Sequence, residues 1–234
     1  MSNLLKSKNE PKLKKQASSS DEQQAKINEV RELLGDLPTE MPGFLTDSTI
    51  RRFLRTRNWS TVQATKALKE TVKWRRQYRP DKIRWSLVPA KEQVKLLVYN
   101  LETMSSKNAQ ENIVWVVDFS GWTVSSTPLA ESRQSVHIIQ NYYPGLVGAA
   151  ILCNPPKIFE SFWKILNYFI EPELKEKVKF VYTNNSESQR IMADMFDLDK
   201  LESAFGGRNT SGIDIVKYSE RMQRRDQTRN LHIR

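Results

Sequence analysis

Between Ile27 and Tyr78, apolar residues recur at helical spacing. Ile27, Val30, Leu33 and Leu34 share a face of a short helix that Gly35 and Pro38 close. Thr46-Asp47-Ser48 supplies cap oxygens for a helix over Thr49–Arg57. Ser60-Thr61-Val62-Gln63 reads as a capping box that opens a helix running to Tyr78, ahead of Pro80. Its apolar face is narrow: Ala64, Ala67, Leu68 and Thr71. The pattern predicts a unit of three small helices over residues 26–80.

The pattern then changes. Val94, Leu97, Val98 and Leu101 keep helical spacing between Glu92 and Met104, but Asn112–Asp118 and Gly148–Cys153 are apolar without alternation. Strands buried on both faces read this way. A helix over Thr127–Tyr143 separates them, and Lys177–Tyr182 reads as a third strand. Helical pieces follow near Ser186–Met195 and Leu198–Ser203, then a turn at Gly206-Gly207 and a candidate edge strand at Ile213–Val216. Strands alternating with helices predict an α/β fold with a mostly parallel sheet flanked by helices, over residues 92–218. Residues 1–25 and 219–234 read as a disordered and a solvated basic tail.

One helix departs from the ordinary pattern. Asn154-Pro155-Pro156 ends a strand, and from Lys157 to Ile170 the apolar residues Ile158, Phe159, Phe162, Trp163, Ile165, Leu166, Phe169 and Ile170 fill an arc of roughly 160°. A surface helix needs a stripe somewhat over 100° wide. Either the helix is wedged between two packed layers, or one edge meets the protein and the other something apolar that is not protein.

Composition adds constraints. In 234 residues the net charge is +10, with excess cations towards both ends; nucleic acid, an anionic membrane and simple solubility are all compatible with it. One cysteine, Cys153, falls inside a predicted strand, so no disulfide framework is expected and a reducing compartment is. No apolar leader or spanning segment is read, and a soluble, intracellular chain is expected. Two histidines and one cysteine do not make the usual structural zinc site.

No nucleophile elbow, glycine-rich phosphate loop or His-Glu-x-x-His pattern occurs. Asp118 ends a buried strand, where α/β enzymes often place an acid, but it also suits the task of holding the amides of the next turn. His137 and Cys153 fit core or surface packing better than catalysis. Arg51, Arg52, Arg55 and Arg57 crowd one helix; they form either a solvated face or a phosphate-binding one. Only Trp59 lies near them, too few aromatics for a polynucleotide surface.

The ordered motifs TIRRFLRTRNW (Thr49–Trp59), KWRR (Lys73–Arg76), VVDFSG (Val116–Gly121), QNYYP (Gln140–Pro144), NPPKIF (Asn154–Phe159), FIEP (Phe169–Pro172) and FGG (Phe205–Gly207) resemble the CRAL-TRIO family, the lipid-binding and phosphatidylinositol-transfer domains of yeast secretory type. The resemblance covers roughly residues 27–218. It implies a helical N-terminal subdomain, a sheet-floored pocket for one lipid, no enzymatic activity, and no cofactor beyond the bound lipid. The helix Lys157–Ile170 would be a mobile gate. Pocket and gate residues would be Trp115, Val117, Ile151, Phe159, Phe162, Trp163, Ile165, Leu166 and Phe169, with Arg52, Arg55 and Arg57 as headgroup candidates. Phospholipid and transient membrane-surface contact are the implied partners, for a cytoplasmic, peripherally associated monomer that takes no nucleic acid. A protein-recruitment module of the same fold, without lipid, is the alternative.

The chain departs from the family pattern twice. It passes almost directly from Trp85 to Glu92, where relatives carry an extra segment with a D-x-x-G-R-P turn that contributes to the sheet. Asn58 and Ala204 stand where phosphatidylinositol transferers have lysine, which separates general lipid binding from inositol headgroup specificity.

Overall fold

The computed structural model describes residues 20–88, 92–107, 112–126 and 128–231. Helix α1 (Ser20–Leu34), the one-turn α2 (Leu37–Glu40), α3 (Asp47–Thr56) and α4 (Thr61–Tyr78) form the N-terminal unit. Ile27, Val30, Leu34, Leu45, Ile50, Phe53, Leu54 and Leu68 close its core. Thr46 caps α3 by accepting from the Thr49 amide at 3.3 Å, and Ser60 caps α4 by accepting from Gln63 at the same distance. Asn58 and Trp59 both carry positive φ, 50° and 60°. Asparagine tolerates that backbone better than lysine does, giving Asn58 a structural reason to stand there.

A parallel sheet follows. Its strands are β1 (Ile113–Asp118), β2 (Val147–Cys153) and β3 (Val178–Val181), in the order β1-β2-β3. Val116 pairs with Ile151 and Val117 with Leu152, while Leu152 pairs with Phe180. Helices α5 (Gln93–Lys107) and α6 (Leu129–Tyr142) precede β1 and β2; α7 (Phe159–Leu166) and the short α8 (Pro172–Glu176) connect β2 to β3. Helix α9 (Ser186–Met195) follows β3, and α10 (Ile215–Leu231) ends the described chain.

Four features of this fold differ most from the sequence pattern. Helix α1 begins at Ser20, because its exposed first turns are made of good helix formers without apolar periodicity. The expected helical piece Leu198–Ser203 is instead a turn, pinned by the Arg208 amide on the Leu198 carbonyl at 2.7 Å and closed by a short 3₁₀ turn, Ser203–Phe205. Gly207 is required there, since a Cβ would sit 2.0 Å from the Leu201 carbonyl oxygen. The edge strand expected at Ile213–Val216 is absent: helix begins at Ile215. As far as Leu231, where the described residues end, the segment read as a solvated C-terminal tail is that same helix. It packs, with Met222 and Asp226 buried and Trp85 edge-on to Tyr218 at 5.5 Å.

An ion pair between two helices, with a tyrosine hydroxyl on the same carboxylate, joins the two units. Arg75 of α4 donates two hydrogen bonds to the Glu102 carboxylate of α5, at 2.6 and 2.8 Å, and the Tyr143 hydroxyl donates to the same carboxylate at 2.6 Å. Trp74 stacks on Tyr142 beside them at 4.2 Å. Burial alone would depress the Arg75 guanidinium, but the hydrogen bonds and charge of Glu102 outweigh it and raise its pKa. Burial, reinforced by the Glu102 charge, pushes the Tyr143 phenol well above its ordinary value, so it remains a donor.

Candidate functional site

The side chains of a strand alternate, so each face of this sheet has its own set. Val114, Val116, Ile151, Cys153 and Val181 point to the side of α9, where Met192 and Phe196 cover them. Val117, Leu152, Val178 and Phe180 point to the side of α7. Ile151, expected among the pocket residues, packs on the α9 side, and its neighbour Leu152 faces α7. Trp115 shares the α7-side parity but packs at the margin, with the cluster of Leu97, Val98 and Ile138.

Helix α7 is launched by the Asn154-Pro155-Pro156 corner. Asn154 adopts φ 51°, and its side-chain oxygen accepts from the Thr183 amide at 2.9 Å, which ties the end of β2 to the end of β3. Regular α-helix starts at Phe159, two residues later than expected, and the last turn, Asn167–Phe169, tightens to 3₁₀.

The apolar arc of this helix is divided lengthwise. Phe159, Leu166 and Ile170 are buried, and Phe162 and Trp163 are half-buried. Phe159 meets Phe119 at 4.5 Å and Trp122 at 5.3 Å between ring centroids, and Trp163 meets Phe180 at 5.3 Å. These rings seat α7 directly on the sheet. The other edge is bare: Ile158 is 59% exposed, Ile165 48% and Phe169 38%, with Tyr168 beside them. Those exposures exclude complete burial of the arc between packed layers, although Leu166 and Ile170 also pack against Val136 and Leu129 of α6.

The end of this segment is fastened to α6. Gln140 donates to the Phe169 carbonyl at 3.1 Å and accepts from the Glu171 amide at 3.1 Å. The Arg133 guanidinium lies 4.1 Å from the centre of the Phe169 ring.

The arginine candidates separate. Arg52 turns inward, where burial lowers its pKa and the Tyr143 and Glu102 groups partly offset it; its Nε is buried without a hydrogen-bond partner. Arg55 is exposed. Arg57 lines a narrow crevice with Gln140, Gly145 and Lys177, and also an open cleft of about 450 Å³ with Lys66, His137 and Tyr142. Arg57 thus lines both with cations beside it, Lys177 and Lys66, and with the acids Glu171, Glu173 and Glu70 in the same linings.

Asp118 accepts from the Ser120 amide at 2.9 Å, the turn-holding role open to it from sequence. Burial and the Asp118 charge push the Cys153 thiol up to about 11, leaving it neutral. Leu152 and Phe180 were not picked from sequence, because a strand apolar on both faces shows which residues look towards α7 only once its pairing is known. Trp122, in the turn after β1, carried no periodic signal.

A family model described as the CRAL/TRIO domain matches residues 58–207. The chain is 26% identical over 243 residues to the SEC14 cytosolic factor of Kluyveromyces lactis, covering 80% of this chain and 79% of that protein. It is 24% identical to the phosphatidylinositol transfer protein PDR17 of Saccharomyces cerevisiae, over 64% of this chain and 57% of the relative. A CRAL-TRIO domain-containing protein of Schizosaccharomyces pombe is 26% identical over 70% of this chain, which spans only 19% of that larger relative. The crystal structure of Sfh5 superposes with a TM-score of 0.56 at 14% identity, over 73% of this chain and 83% of the other. Among the described residues, no helix is long and apolar enough to cross a membrane.

Proposed function

The chain belongs to the CRAL/TRIO domain family, and on that premise we propose that it holds one lipid between α7 and the sheet and moves it between membranes. The observation that carries this reading is the lengthwise split of α7: an aromatic edge on the sheet, and an edge of Ile158, Ile165, Tyr168 and Phe169 in water. Each buried CH₂ contributes about 0.8 kcal/mol, so a sixteen-carbon chain left in water costs roughly 12 kcal/mol. A carrier must enclose such a chain, and a lid with two apolar edges suits both states. Its inner edge meets acyl chain when closed, and its outer edge meets the membrane interface when open.

In this reading Trp115, Val117, Leu152, Phe159, Phe162, Trp163, Leu166 and Phe180 surround the acyl chain, and Ile158, Ile165 and Phe169 meet the membrane. The ring stack between α7 and Phe180 must part to admit the lipid, so loading is coupled to lid movement. Arg57 is the candidate for a headgroup phosphate. The relative PDR17 is named a phosphatidylinositol transfer protein; with Asn58 and Ala204 in place of lysines, a phospholipid in general is the ligand class proposed here. The chain acts as a monomer at cytoplasmic membrane surfaces and performs no catalysis.

Vesicle-to-vesicle transfer of a fluorescent phospholipid tests this. Transfer by the wild type, lost in Phe162→Asp, is expected; no transfer by the wild type contradicts it. The direct seating of α7 on the sheet favours a second reading, a lipid-free recruitment module, in which membrane association is unchanged by Phe162→Asp.

A further inference from the structure

A second apolar surface lies away from α7. Ile213, Ile215 and Val216, at the start of α10, are 65%, 76% and 68% exposed. The 3₁₀ turn Trp85–Leu87 packs on the same helix, through Trp85 on Tyr218 and Ser219, and its Leu87 is 76% exposed. Four aliphatic side chains are thus left in water around one helix terminus, although the inner side of that helix is well seated on Trp85 and Tyr99.

The outward side of α10 supplies the matching charge. Lys217, Arg221 and Arg224 are exposed and Arg225 half-exposed along it. The acids among them are Asp214, which pairs with Lys217 at 3.3 Å, Glu220, which lies 3.9 Å from Arg224, and the buried Asp226. Cations therefore outnumber exposed acids on this face four to two. An aliphatic tip with cations further along the helix places apolar groups to enter below the headgroups and cations to meet anionic ones.

We propose that the start of α10, together with Leu87, docks on an anionic membrane surface, as a contact separate from the α7 lid. The contact is electrostatic in reach and aliphatic in grip. It goes beyond lipid exchange, since it requires no lipid to enter the fold.

Co-sedimentation of the full chain with vesicles of phosphatidylcholine, with and without phosphatidylserine, tests it. The wild type is expected to bind the phosphatidylserine vesicles preferentially and to release as salt rises. The pair Ile215→Asp/Val216→Asp and the pair Lys217→Glu/Arg224→Glu should each weaken binding by about tenfold or more. Lipid extracted from each variant should equal that of the wild type. All four positions are surface sites, and matching thermal melts establish that the variants are folded; should the aspartate pair melt early, the charge-reversal pair decides. Equal binding to neutral and anionic vesicles, or binding indifferent to both pairs, overturns the proposal. A wild-type dimer by light scattering that Ile215→Asp/Val216→Asp converts to monomer also overturns it, because the surface would then join two copies. Failure of lipid transfer with vesicle binding intact would count against the proposed function and leave this contact standing.

Discussion

Replacing Glu102 with glutamine should be among the most damaging single changes to this fold. The Glu102 carboxylate accepts from two Arg75 nitrogens and from the Tyr143 hydroxyl, and the side chains of Arg75 and Glu102 are each only 10% exposed. Arg52 adds a second buried cation within electrostatic reach. Glu102→Gln therefore removes the negative charge from a group that binds the Arg75 guanidinium and lies within electrostatic reach of a second. Breaking a buried pair from one side costs about 3–5 kcal/mol. For a domain of this size that corresponds to a melting point lower by roughly 6–20 °C. Arg75→Met should cost less, because Arg52 and the Tyr143 hydroxyl still face the carboxylate. The joint ties the N-terminal helices to α5 and α6, so the damage should appear as one cooperative loss. Urea unfolding measures it, as a lower midpoint at unchanged slope. A cost below about 1 kcal/mol, the value of a solvent-exposed pair, would refute this account of the joint.

Other outcomes follow from the site. Ile158→Ser with Ile165→Ser removes aliphatic area that is about half exposed; stability should barely change, while membrane-dependent transfer falls by roughly 30-fold, from about 2 kcal/mol of lost interfacial burial. Gln140→Ala deletes two hydrogen bonds at the end of the α7 segment, worth about 1–2 kcal/mol together, so hydrogen exchange at the Glu171 amide should quicken by about tenfold, and an unchanged rate would show that the latch holds nothing. Cys153 should resist iodoacetamide at neutral pH in the folded chain and react quickly in urea. Its thiol, raised from its ordinary value to about 11, favours the fold fully below its unfolded pKa, and that contribution is lost as pH rises through about 11.

The sheet and the position of α7 were readable because buried parallel strands and an over-wide apolar arc leave strong patterns. Both units of secondary structure around Asn154-Pro155-Pro156 stand where the sequence placed them, within two residues. Facing was harder. Ile151 and Leu152 are equally apolar in a strand covered on both sides, so hydrophobicity alone does not say which one looks towards α7; pairing with Val116 and Val117 decides it. The C-terminal helix escaped notice because its buried side is carried by Tyr218, Met222 and the acid Asp226 among many cations. Arg52, named with Arg55 and Arg57 as a headgroup candidate by resemblance, is separated from them by the fold, which turns it towards Tyr143 and Glu102. Long-range partners of this kind leave no local periodicity.

The most direct test of the central claim is lipid content. Purified from cells, the full chain should carry one extractable phospholipid per molecule, identified by mass spectrometry, and Phe162→Asp should reduce that amount. Protein that is folded, monomeric and free of lipid, with no transfer between vesicles, would contradict the account.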